Sequence, residues 1–210
     1  MLEVRIKAVW MVRAAATAAA IAVTGIQPAT AQTYTYAYYQ TANKSPTASL
    51  TIPVKASVNT SCGFQQVINE NFNVGNIDEA GWTRSTSFVP ECTTPWRIAI
   101  SSTNGGLLNN GAGTPVAGYL NKAPYTVSLK VKSDAGDVNA SCAAADLHSS
   151  AGTNCTFKGT ASMTNGLRVG RSYQLIGSSI QVAAPAYTGP GVLISGTYQD
   201  TLTVTVSPST

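Results

Sequence analysis

Gly196-Thr197-Tyr198-Gln199-Asp200-Thr201-Leu202-Thr203-Val204-Thr205-Val206-Ser207-Pro208 decides how the rest of the chain is read. Tyr198, Leu202, Val204 and Val206 fall on one parity, and Thr197, Thr201, Thr203 and Thr205 on the other. Strict alternation of β-branched residues marks a strand with one buried and one wet face. The sequence ends at Thr210, so no later segment is expected to pair with this strand. If it sits at a sheet edge, its backbone donors and acceptors are open to another strand.

Outward from it, the same period of two recurs. Ala184 to Gly191, with Pro185 and Pro190, is a connection into Val192–Ile194. Met163, Leu167, Val169, Tyr173, Leu175, Ile180 and Val182 mark one or two strands, punctuated by Asn165-Gly166 and Gly177. Tyr125 to Lys132 is a clear strand, with Tyr125, Val127, Leu129 and Val131 inward and Thr126, Ser128, Lys130 and Lys132 outward. Phe88 to Ile100 is another, in which Trp96, Ile98 and Ile100 alternate with Arg97 and Ala99. Asn104-Gly105 and Asn110-Gly111 mark tight turns. Residues 133–155 are small and polar and read as a pinned loop, with at most a turn or two of helix at Ala143–Leu147. Between Val67 and Phe88 the pattern is loose. No apolar repeat of helical period is sustained outside the N-terminal leader, so the fold class is all-β, a sandwich of short strands in one domain.

Nearer the N-terminus, Ser49 to Val58 places Leu50, Ile52, Val54, Ala56 and Val58 on one face, with Thr51, Lys55 and Ser57 on the other. Pro53 lies on the polar parity and cannot donate to a ladder, which fits an edge strand or one inserted from another molecule. Residues 32–47 hold a Tyr-rich extension with Tyr34, Tyr36 and Tyr38 alternating, followed by the turn Asn43-Lys44-Ser45-Pro46. Residues 1–31 read as a signal peptide: basic Arg5, Lys7 and Arg13, an apolar run from Ala14 to Ile26, then Ala29-Thr30-Ala31 before the cut. The run is too short for a permanent helical anchor, which needs about 20 apolar residues. Export leaves 179 of the 210 residues and removes three of 13 basic and one of nine acidic residues, for a net charge of +2. That balance gives no reason to expect nucleic acid as a partner.

Four cysteines in an exported chain read as two disulfides. Of three connectivities, spacing favours Cys62–Cys92 with Cys142–Cys155. A zinc site lacks the usual C-x-x-C pair, and His148 is the only histidine. His148 sits in a Ser-rich loop without a nucleophile-elbow motif, so it reads as a surface residue, not a catalytic one. The carboxylates Asp78, Glu79, Glu91, Asp134, Asp137, Asp146 and Asp200 read as scattered among loops, and Asp134–Asp137 as a turn. No glycine-rich phosphate motif is present, so no cofactor and no enzymatic activity are expected.

The terminal Gly196-x-Tyr198-x-Asp200-Thr201-Leu202-x-Val204-Thr205-Val206 resembles the closing strand of spore coat protein U domains, the subunits of archaic chaperone–usher pili. Cys92-Thr93-Thr94-Pro95-Trp96-x-Ile98-x-Ile100 is similar to that family's second-cysteine strand, and 49–58 leading into Cys62 to its first segment. The resemblance covers most of 48–207. It implies an incomplete immunoglobulin-like β-sandwich completed by a donor strand. It also implies a periplasmic chaperone, an outer-membrane usher and neighbouring subunits as partners, and a place in a secreted fibre. On it, Leu50, Ile52, Val54, Ala56 and Val58 form the donor strand, and Tyr198, Leu202, Val204 and Val206 one wall of the acceptor groove. The domain is 48–210, with 48–58 as candidate donor. The Tyr-rich extension is longer than the family's usual lead, so Thr33–Tyr39 is an alternative donor. The second cysteine pair and the tail after Val206 also depart from the pattern. A surface adhesin or lectin-like sandwich is the other function considered.

Overall fold

The computed structural model describes residues 3–8, 51–66, 70–152 and 155–209, the first stretch as backbone. Its strands are β1 (Glu3–Ala8), β2 (Cys62–Phe64), β3 (Trp82–Phe88), β4 (Pro90–Cys92), β5 (Trp96–Ser102), β6 (Leu107–Leu108), β7 (Tyr119–Leu120), β8 (Lys122–Ala123), β9 (Thr126–Val131), β10 (Val138–Ala143), β11 (Leu167–Val169), β12 (Ser172–Tyr173), β13 (Ser178–Ala184), β14 (Val192–Leu193) and β15 (Gln199–Pro208). Among the described residues the only helix is one 3-10 turn, Ala144–Leu147. The protein is all-β. It divides into one unit of Met1–Trp10 with Asn59–Thr210 and a second of Met11–Val58, of which 51–58 are described.

Two larger sheets build the first unit. In one, β5 lies between β11 and β15, antiparallel to both. The other runs β10-β9-β13-β3, antiparallel throughout. Smaller sheets join β12-β4-β2 and, in parallel, β14-β7. Period-two alternation turns one face of each large sheet inward. Trp96, Ile98, Ile100, Leu202 and Val204 meet Val127, Leu129, Val131, Ile180 and Val182 in one core. Each such side chain contributes about 1.5–3 kcal/mol when fully buried. Trp96 Nε1 donates to Ser172 Oγ at 3.0 Å, and Ser172 Oγ donates to the Lys132 carbonyl at 2.7 Å, so the core's largest ring has its polar atom satisfied.

The strand at 125–132 is found as β9, with Tyr125, Val127, Leu129 and Val131 all buried. Four expectations are corrected. The single strand expected over Phe88–Ile100 is two, β4 and β5, broken at Thr93–Pro95. Pro95 cannot donate, and its carbonyl instead accepts from Ser209 N at 2.8 Å. The loop expected over 133–155 contains β10, which completes an edge of the second sheet by pairing with β9 from Val138↔Val131 to Ala143↔Thr126. Asp200 is not in a loop but in β15, on the buried parity. Finally, residues 51–58 belong to no strand, and every one of them is exposed.

Asp134–Asp137 is a turn as expected, closed by Gly136 N donating to the Ser133 carbonyl at 3.1 Å. Leu50, the Tyr-rich extension with Thr33–Tyr39, and the leader apart from Glu3–Ala8 lie outside the described residues.

Candidate strand-acceptor site

β15 owes its length to its composition. Thr201, Thr203 and Thr205 favour extended backbone, and Leu202, Val204 and Tyr198 supply the buried face. Val206 is half-buried, so the apolar stripe thins toward the chain's end. On the threonine parity, expected to be wet, Thr197 is exposed but Thr201, Thr203 and Thr205 are half-buried, and Ala161 N donates to Thr205 Oγ1 at 2.7 Å.

The two edges of β15 differ. Leu202 to Pro208 pair with β5, from Leu202↔Ser102 to Pro208↔Trp96, and Gln199 pairs with Leu108 of β6. Glu3–Ala8 pairs in parallel with Gln199–Val204. Gln199 and Leu202 each have two partners, one in β1, and a strand residue has only two sides. β5 and β6 therefore share one edge, and β1 lies along the other. Among the described residues no other strand meets that second edge. Val4, Ile6 and Ala8 register with Asp200, Leu202 and Val204. Among the described residues β15 is thus flanked on both sides, on one of them only by a segment of the N-terminal stretch with leader composition.

The start of β15 is fixed by a buried polar knot around Asp200. Oδ2 accepts from Ser102 Oγ at 2.5 Å, Tyr125 OH at 2.8 Å and Gly106 N at 3.2 Å. Oδ1 accepts from Asn104 N at 2.9 Å and Thr201 N at 2.7 Å. A carboxylate with five donors tolerates burial because its lone pairs are filled by charge-assisted bonds. It ties β15 to β5, to the loop 103–106 and, through Tyr125, to the second sheet. Burial, with the Asp200 charge beside it, raises the Tyr125 phenol well above its ordinary value. Burial likewise raises Tyr198, whose hydroxyl donates to the Ile194 carbonyl at 2.7 Å.

The donor candidate has the opposite character. Ile52, Val54 and Val58 are 70%, 89% and 88% exposed, an uncommon state for three aliphatic residues of one parity. Ala56 is exposed as well. Its C-terminal root is pinned: Cys62 is bonded to Cys92, and Thr93 N donates to the Ser61 carbonyl at 3.0 Å. The other disulfide, Cys142–Cys155, ties β10 to the segment before Phe157. Both expected pairings are present.

Little chemistry gathers elsewhere. His148 Nδ1 lies 2.8 Å from Ser150 Oγ, a local turn contact. Asp134 pairs with Arg171 at 2.8 Å and Asp137 with Lys132 at 2.7 Å. Among the described residues no three of His, Cys, Asp and Glu gather as a metal site, and no helix is long and apolar enough to cross a membrane. No protein-family model matches the sequence, and neither a curated protein nor a solved structure matches the chain.

Proposed function

We propose that the chain is a structural, non-enzymatic subunit of a surface fibre, assembled when the 49–58 segment of one copy completes the sandwich of the next. The observation that carries this is the pairing of opposites: Ile52, Val54 and Val58 stand exposed on one parity, while β15 has an edge that, among the described residues, only the N-terminal segment Glu3–Ala8 covers. Cleavage after Ala31 would free that edge over Gln199–Val204. Strand addition then offers ladder hydrogen bonds for affinity and alternate side chains for specificity. Four aliphatic side chains at about 1.5–3 kcal/mol each, with several net hydrogen bonds at roughly 1 kcal/mol, exceed about 8 kcal/mol before ordering costs.

The resemblance to spore coat protein U domains supports the same reading, with a periplasmic chaperone holding the edge and an outer-membrane usher exchanging it. Two disulfides suit an oxidising compartment, and an exported protein passing through a periplasm to the cell surface fits them. The test is assembly of the chain lacking residues 1–31. It is expected to form oligomers that persist on dilution, and Val54→Asp in the donor segment is expected to leave monomers. A monomer at all concentrations in the parent, or oligomers unaffected by Val54→Asp, would refute the proposal.

A further inference from the structure

Two loops at one end of the sandwich enclose a cleft of about 330 Å³, the lower end of the range for small-molecule sites. One loop is Gly75–Asp78 and the other runs from Leu193 to Tyr198. Both are held from beneath. The buried Asn109 side chain donates to the Ile194 and Ser195 carbonyls at 3.4 and 3.3 Å, and its Oδ1 accepts from Gly111 N at 3.1 Å. Gly196 is required there, because a Cβ would collide with the Asn109 amide and its φ is +150°. On the facing loop, Ile77 is buried, its carbonyl accepts from Tyr187 N at 3.2 Å, and Asn73 Oδ1 accepts from Gly75 N at 3.2 Å. The cleft is therefore held in shape by groups that do not line it.

Three of the polar residues that line it keep their side chains unspent. Asn76, Asp78 and Thr197, all exposed, make no hydrogen bond or ion pair among the described residues, and Ile77, Leu193 and Tyr198 line the same cleft. The carboxylate accepts only, whereas the amide and hydroxyl both donate and accept. An anion would be repelled by Asp78, and a metal cation would find one carboxylate where it needs several oxygens. A ligand with many neutral hydroxyls matches all three groups. We propose that this cleft binds a single neutral sugar ring, with Asp78, Asn76 and Thr197 as its hydrogen-bonding residues. None of these three residues lies in β15 or in 49–58, so their substitution tests the cleft apart from fibre assembly, while Tyr198 belongs both to the cleft and to the expected groove wall.

The test is an amide-resolved NMR titration of the full chain with glucose, galactose, mannose and N-acetylglucosamine, each alone, and separately with calcium chloride. At least one sugar is expected to give saturable shifts at 75–78 and 193–198 in the millimolar range. Asp78→Asn, an exposed and nearly isosteric change, is expected to weaken that binding roughly tenfold or more, the loss of one bond to a charged group. Thr197→Val should weaken it too. No saturable shift with any sugar, shifts elsewhere, a response to calcium alone, or unchanged affinity in Asp78→Asn would each overturn the proposal.

Discussion

Replacing Asp200 by asparagine changes one oxygen to an amide and nothing in shape. The five donors around the carboxylate then face a group that can accept on one side only. The less costly orientation keeps the oxygen toward Ser102, Tyr125 and Gly106, all buried, and turns the NH2 toward Asn104 N and Thr201 N. Two bonds to a charged acceptor are lost, at about 1.5–3 kcal/mol each, so Asp200→Asn should cost roughly 3–6 kcal/mol. That is a large part of the 5–15 kcal/mol typical of a domain. Asp200→Ala leaves all five donors unfilled and should abolish folding. The assay is urea unfolding, reading a fall in midpoint with an unchanged slope. Asp200→Asn within about 0.5 kcal/mol of the parent, the range of ordinary surface changes, would refute the knot as the anchor of β15.

Stability should also fall at alkaline pH. Tyr125 and Tyr198 are both raised above 10.0 in the folded chain. Below pH 10 both states hold the phenols neutral. Above it the unfolded chain releases protons that the folded chain keeps, so stability is lost as pH rises through the folded values. Tyr125→Phe should flatten that limb, and a melting series from pH 8 to 11 checks it, with an equal slope in parent and variant as the contrary result. Removing Cys142–Cys155 by paired serines should cost about 3 kcal/mol by loop entropy, and removing Cys62–Cys92 about 3–4 kcal/mol, read by denaturant unfolding. A loss under about 1 kcal/mol for either would mean the bridge constrains little.

The parts of the fold that show in the sequence are those where burial imposes a period of two. Tyr125 to Val131 and Trp96 to Ile100 announce themselves because every second side chain fills the core. β3 does not: Trp82-Thr83-Arg84-Ser85-Thr86-Ser87-Phe88 has Arg84 on the inward parity, where its guanidinium escapes to the Asn73 carbonyl at 3.2 Å. β10 hides for another reason. Val138–Ala143 alternates Val138, Ala140 and Cys142, half-buried against the core, with exposed Asn139, Ser141 and Ala143, but these side chains are small and only Val138 is β-branched, so its strand state rests mostly on the β9 edge it pairs with. Asp200 shares the parity of Leu202 and Val204, which was the one clue to its burial. Its five donors come from residues 102–106, 125 and 201, brought together only by the sheets. The cleft loops are equally silent, since Asn109 and Gly196 meet across 87 positions of sequence. The alternation in 49–58, by contrast, is legible, but its described part, 51–58, is spent on no strand of its own.

The most direct measurement joins Ser49–Val58, as a second copy, to the C-terminus of the chain lacking residues 1–31 through a flexible linker, and reads the melting temperature. A completed sandwich is expected to melt roughly 10 °C or more higher, at 2–4 °C per kcal/mol for a chain of this size. The rise should vanish when the appended copy carries Ile52→Asp and Val54→Asp. An unchanged melting temperature, or an equal rise with the aspartate-bearing copy, would contradict a sandwich that needs another chain's strand.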